Sequence, residues 1–131
     1  MNDRTRTHES VDPDDCAARS VDAAKVVAVK AQALPIGDVD RITELFRLIG
    51  EPTRVKLLYA LVEAGEMCVC DLAAVVDATE TSVSHALRLL RMADIVRNRR
   101  DGRMIFYSLT DAHVRLLLDV TAEHLHQPPT E

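Results

Sequence analysis

The chain has 131 residues, of which 47% are hydrophobic, 28% charged and only 3% aromatic, with a formal net charge of −5. That length suits one domain with a largely aliphatic core, and no apolar run is long enough for a bilayer-spanning helix. The negative sum also speaks against a polyanionic partner, unless the basic residues are gathered on one face.

The opening, "MNDRTRTHES", has no apolar signal-peptide core, so a cytoplasmic location is expected. In that reducing compartment the three cysteines, Cys16, Cys68 and Cys70, are expected to be ligands or buried thiols, not disulfides. Residues 1 to about 20 are polar, with Pro13 among four aspartates, and read as a flexible arm. A helix is predicted near 20–34, within an arm segment spanning 1–35, before Pro35 and Gly37 interrupt the chain.

From 36 to 127 the pattern is that of one compact domain, followed by a tail at 128–131. Ile42, Leu45, Phe46 and Ile49 recur at the spacing of one buried helix face. Gly50 ends that helix, and Pro52 opens the next, whose inner side is Val55, Leu58, Leu61 and Val62 before Gly65. "MCVCDLA" (67–73) leads into a short helix with Leu72, Val75 and Val76 inward. Thr79 then caps a helix with Val83, Ala86, Leu87 and Leu90 on its inner stripe. The period next changes to alternation. Asp101-Gly102 splits "IVRNRRDGRMIFYSL" into a hairpin, and a last helix runs over about 111–126. The fold class is therefore mainly α with a β-hairpin, a winged helix-turn-helix dimerised through terminal helices.

The outer face of the helix within 77–96 carries Thr81, Ser84, His85 and Arg88, side chains that reach base edges in a major groove. Ser82 and Arg91 join them in the expected DNA-contact set. Between Ser82 and Ser108 six arginines face two aspartates, which gives a local excess of four positive charges in an acidic chain. Arg99, Arg100 and Arg103 flank the hairpin turn, where phosphates would lie. This concentration answers the objection from net charge and points to double-stranded DNA as partner.

Cys68 and Cys70 could be core filler, a redox pair or metal ligands. In a regular helix they would point about 200° apart, whereas a loop-to-helix junction can present both to one ion. Two thiolates leave a soft ion under-coordinated. Cys16, on an arm that can move, is the only other thiol, and His8, Asp12, Asp14 or Asp15 could add a further ligand. In the last helix His113, Leu117, Val120 and His124 share one face, an apolar stripe capped by histidines that looks like a helix–helix seam. Eleven residues separate the histidines, roughly 16 Å along the axis. Only two antiparallel copies could bring both to one metal, with Asp111 beside His113.

The segments "GEPTRVKLLYAL", "CVCDLA", "SVSHALRLLRMADIV", "RRDGRMIFYSL" and "DAHVRLLLDVTAEHLHQ" resemble the ArsR/SmtB family of metal-responsive repressors over roughly residues 38–127. The likeness is strongest to its CadC-type cadmium-, lead- and zinc-responsive members. It implies a homodimer that binds an imperfect DNA palindrome and is released by a thiophilic divalent metal. Zn(II), Cd(II) or Pb(II) would be the inducer, with no organic cofactor.

It further implies a thiolate site of Cys68, Cys70 and Cys16 of the other protomer, although this arm has one cysteine where CadC-like arms have two. An inter-subunit zinc site of Asp111, His113 and His124 is also implied, its fourth position held here by Gln127, a poor ligand. Arsenite sensors of the family share "CVCDL", often with a third cysteine where this chain has Ala73. An arsenite- or thiol-redox-responsive repressor is thus the alternative. No His-Glu-x-x-His, nucleophile elbow or phosphate-binding glycine loop supports an enzyme.

Overall fold

A computed structural model describes residues 21–128. The chain divides between Val39 and Asp40 into two units. In the first, α1 (Ala23–Ala31) is capped by Asp22, whose carboxylate accepts from the Lys25 backbone N–H at 3.0 Å, and none of its residues is buried. The helix predicted near 20–34 is thus real but shorter, and it ends at Gln32.

The second unit begins within α2 (Ile36–Ile49) and continues through α3 (Pro52–Ala64), β1 (Glu66–Cys68), α4 (Val69–Val76), α5 (Glu80–Met92), β2 (Val96–Asp101), β3 (Met104–Leu109) and α6 (Ala112–His126). The boundaries follow from local chemistry. Pro52 opens α3 behind Glu51, whose carboxylate accepts from the Arg54 N–H at 2.9 Å. Gly65, at φ 82°, ends it in a conformation that L side chains avoid. Asp77 turns the chain left-handed after α4, and Thr79 Oγ1 accepts from the Ser82 N–H to start α5. The pair α4–α5 is therefore a helix-turn-helix.

The core joins Leu57, Leu58 and Leu61 of α3 to Leu72, Ala73 and Val76 of α4 and to Val83, Ala86, Leu87 and Leu90 of α5. Ile95, Val96, Tyr107 and Leu118 close it. Tyr59 of α3 donates its hydroxyl to the Leu118 carbonyl at 2.7 Å and ties α6 down. Three expectations about faces are corrected. Val75 is 55% exposed because the short α4 turns Ala73, not Val75, inward. Leu57 is fully buried beside Leu58, while Val55 and Val62 are only partly buried. Ile42 and Phe46 of α2 stay exposed, leaving Leu45, Leu48 and Ile49 to meet the core.

The sheet has three strands where the sequence suggested two, in the order β1-β3-β2, all antiparallel. Asp101 pairs with Met104, so the two turn residues are Gly102 and Arg103, not Asp101 and Gly102. Gly102 takes the positive φ of 66° that such a turn demands at its first central position. Among the described residues no helix is long and apolar enough to cross a membrane.

Candidate metal and DNA sites

β1 ends at Cys68 and α4 begins one residue later, with Cys68 itself as the N-cap in an extended conformation (φ −83°, ψ 166°). The expected junction is thus a strand-to-helix one. The extended backbone at Cys68 and the first helical turn at Cys70 bring the two Sγ atoms to 3.3 Å. Cys68 is buried and Cys70 exposed, so the pair opens to solvent from one side. The Asp71 carboxylate joins them, and one donor atom from each of the three residues lies within 4.8 Å of the others.

Two sulfurs on a tetrahedral ion with bonds of about 2.3 Å lie roughly 3.8 Å apart. A small side-chain rotation reaches that from 3.3 Å, so the donor set fits a thiophilic ion. With both sulfurs ionised beside Asp71 the set would repel itself unless a cation were bound. The hydrogen bond to Cys68, partial burial and the negative charges of Asp71 and Glu80 push the Cys70 thiol above its usual range. A dication would reverse the sign of those interactions. Sequence reasoning missed Asp71, although its place in the first turn of α4 beside Cys70 was a readable signal. Cys16, His8, Asp12, Asp14 and Asp15 lie outside the described residues.

The terminal helix is arranged differently. Asp111 is the N-cap of α6, and its Oδ1 accepts from the N–H groups of His113 and Val114 at 3.0 and 3.1 Å. Its other oxygen lies 3.9 Å from His113 Nδ1, with the His113 side chain 94% exposed. His124 sits at the far end of α6, and Gln127 is already the extended C-cap. His124, His126, Glu123, Val120 and Gln127 line a shallow cleft there. Within one chain the two histidines are not brought together.

On α5, Thr81, His85, Arg88 and Arg91 are exposed and Ser84 is half-buried. Glu80, Thr81, Ser84, His85 and Arg88 line one shallow depression on the outer face. Ser82 is otherwise engaged, since its hydroxyl donates to the Thr79 carbonyl at 3.2 Å as part of the helix cap. Arg88, Arg91 and Arg103 make no ion pair among the described residues. Among the described residues Arg100 has only a 3.5 Å contact to the Gly102 carbonyl. Arg99 is paired: its guanidinium grips both oxygens of Glu66 at 2.8 Å, from Nε and from Nη2.

A helix-turn-helix with an arginine-bearing hairpin beside its second helix defines a winged helix-turn-helix DNA-binding protein. The family model described as "Bacterial regulatory protein, arsR family" matches residues 51–98, from the α3 cap to the middle of β2. A "Transcriptional repressor SmtB homolog" of Synechocystis sp. is 38% identical over 112 residues, covering 86% of this chain and 84% of its own length. A "Cadmium resistance transcriptional regulatory protein CadC homolog" of Staphylococcus aureus is 37% identical over 83 residues, 63% of this chain and 69% of its own length. Among solved structures, the AntR antimony-specific transcriptional repressor superposes with a TM-score of 0.65 at 31% identity, covering 71% of this chain and 84% of that one. The chain belongs to the arsR family of bacterial transcriptional regulators, a non-enzymatic family.

Proposed function

We propose that this chain is a metal-responsive repressor that binds operator DNA as a homodimer in the cytoplasm and is released by Cd(II), Pb(II) or Zn(II). The observation that carries this reading is the Cys68–Cys70 pair, 3.3 Å apart with Asp71 in reach, at the start of the helix-turn-helix. Cys16, the remaining thiol, completes the site from an arm spanning 1–35, while residues 36–127 form the DNA-binding body. Thr81, Ser84, His85 and Arg88 read the groove, and Arg91, Arg100 and Arg103 meet phosphates.

The ion acts by linkage, because it binds the low-affinity DNA conformation better than the high-affinity one. Exposed Ile42 and Phe46 on α2, and Leu116, Val120 and Leu125 on α6, supply apolar faces for a second copy. A second copy would also bring His113 of one protomer to His124 of the other.

Fluorescence anisotropy on DNA upstream of the chain's own coding sequence, with each ion titrated, tests the reading. Cd(II), Pb(II) and Zn(II) all leaving operator affinity unchanged would remove the metal-responsive half. A second reading, release by trivalent arsenic or antimony on the same thiols, draws support from the likeness to an antimony-specific repressor. Arsenite in the same titration separates the two.

A further inference from the structure

Arg99 is engaged in a way that DNA binding alone does not explain. In the sheet register Cys68 of β1 lies opposite Phe106 of β3, which lies opposite Arg99 of β2. Directly paired residues project to the same face, as do residues two apart on a strand. Glu66, Cys68, Phe106 and Arg99 therefore share one face of the sheet. The Arg99 guanidinium lies 4.7 Å from the centre of the Phe106 ring and reaches across β3 to grip Glu66 with two 2.8 Å hydrogen bonds. Asp101, at 3.9 Å, steadies it from the same strand.

The planar guanidinium fork matches a carboxylate in only one orientation, and stacking on the ring restricts it further. Half in solvent, with side chains 53% and 36% exposed, the pair adds little to overall stability. Its role is geometric. β1 is three residues long and held by three register pairs, so a cross-strand fork is a large part of what fixes it to the hairpin. Glu66 stands at one end of that strand and Cys68 at the other.

We infer that Arg99 is a positioning residue and not a DNA contact. Its brace to Glu66 across Phe106 couples β1 to the wing and transmits metal occupancy at Cys68 and Cys70 to it. The inference rests on the function proposed above. Cys68 ends a strand only three residues long, so an ion bound there pulls on that strand, and the brace passes the pull to the hairpin carrying Arg100 and Arg103. Without the brace, metal binds but its message to the wing is lost.

The test uses the full-length chain, Cd(II) as the probe and operator anisotropy as the readout, with Arg99→Gln, Glu66→Gln and the charge-swapped pair Glu66→Arg/Arg99→Glu. In each single variant the ultraviolet thiolate-to-cadmium band should persist. Metal-free operator affinity should fall less than about threefold with an unchanged salt slope, since no phosphate contact is removed. The Cd(II)-induced loss of affinity should shrink at least about fivefold, out of a typical allosteric range of 5–150-fold. The swapped pair should recover part of it.

A full Cd(II) response in both single variants overturns the inference. So does a salt slope lowered by about one per protomer in Arg99→Gln alone, which makes Arg99 a phosphate contact. A wild-type chain that forms the thiolate band but keeps its DNA affinity overturns the metal-responsive reading and this inference with it. That result is read on the wild type and so is distinct from failure in the variants.

Discussion

The thiol junction and the terminal helix both carry metal-binding residue types, yet the fold treats them differently. Cys68 and Cys70 are two residues apart across a change of secondary structure, and their sulfurs meet at 3.3 Å within one chain. His113 and His124 are eleven residues apart on one uninterrupted helix, and rigid helical rise keeps them at opposite ends of it. A junction can fold ligands onto one point, whereas a straight helix can only present them to something else. Asp111 sharpens the contrast, because both backbone N–H groups it accepts from belong to its own helix cap.

The largest expected effect tests this contrast directly. Cys68→Ser should weaken Cd(II) binding by at least about 100-fold, since ligand loss exceeds the 10–100-fold typical of outer-shell changes, and should abolish operator release. If the serine variant still responds in full, the comparison is inverted and the histidines are the sensor.

Next in size is the pH dependence of metal affinity. The Cys70 thiol is held above its usual range by its hydrogen bond to Cys68, by partial desolvation and by the neighbouring thiol and acids. The ion must displace the thiol proton, so affinity should fall as pH drops from 8 to 6, by about tenfold per unit for each proton released. Isothermal titration at three pH values measures the slope, and a metal affinity that does not change with pH would remove the thiolate site as the sensor. The sign for folding is the opposite. A raised thiol pKa favours the neutral group in the folded chain, so that contribution is complete below the ordinary thiol range and is lost as pH climbs through the raised value.

A smaller effect is expected where the terminal helix is tied to α3. Tyr59→Phe removes the hydroxyl that donates to the Leu118 carbonyl and should cost about 1 kcal/mol in urea denaturation. A larger loss would mean that α6 depends on this contact as much as on burial of Leu118. The smallest effect is assigned to His113→Ala with His124→Ala, which should change Cd(II)-induced release less than about threefold.

Much of this molecule was legible along the chain. The Thr79 cap, Pro52 at the start of α3, Gly65 beyond its end and the inner stripe of α5 all stand where spacing put them. Each depends on partners within one helical turn, and turn chemistry and side-chain period are written in neighbouring residues. The crowding of arginines onto α5 and the hairpin was legible for the same reason, because charge is counted along the chain.

What tertiary structure alone decided involves partners far apart in sequence. β1 exists because Glu66, Met67 and Cys68 pair with Ser108, Tyr107 and Phe106, some forty positions on, and three residues carry no period of their own. Arg99 reads along the chain as one more hairpin arginine, and only that strand brings Glu66 within 2.8 Å of it. Val75 and Phe46 are apolar at plausible inward spacings, yet they stay exposed because the core is filled by Ala73, Leu72 and Leu57. Local patterns specify which elements form. Which face is covered, and which cation finds which carboxylate, is settled when distant strands and helices compete for the same contacts.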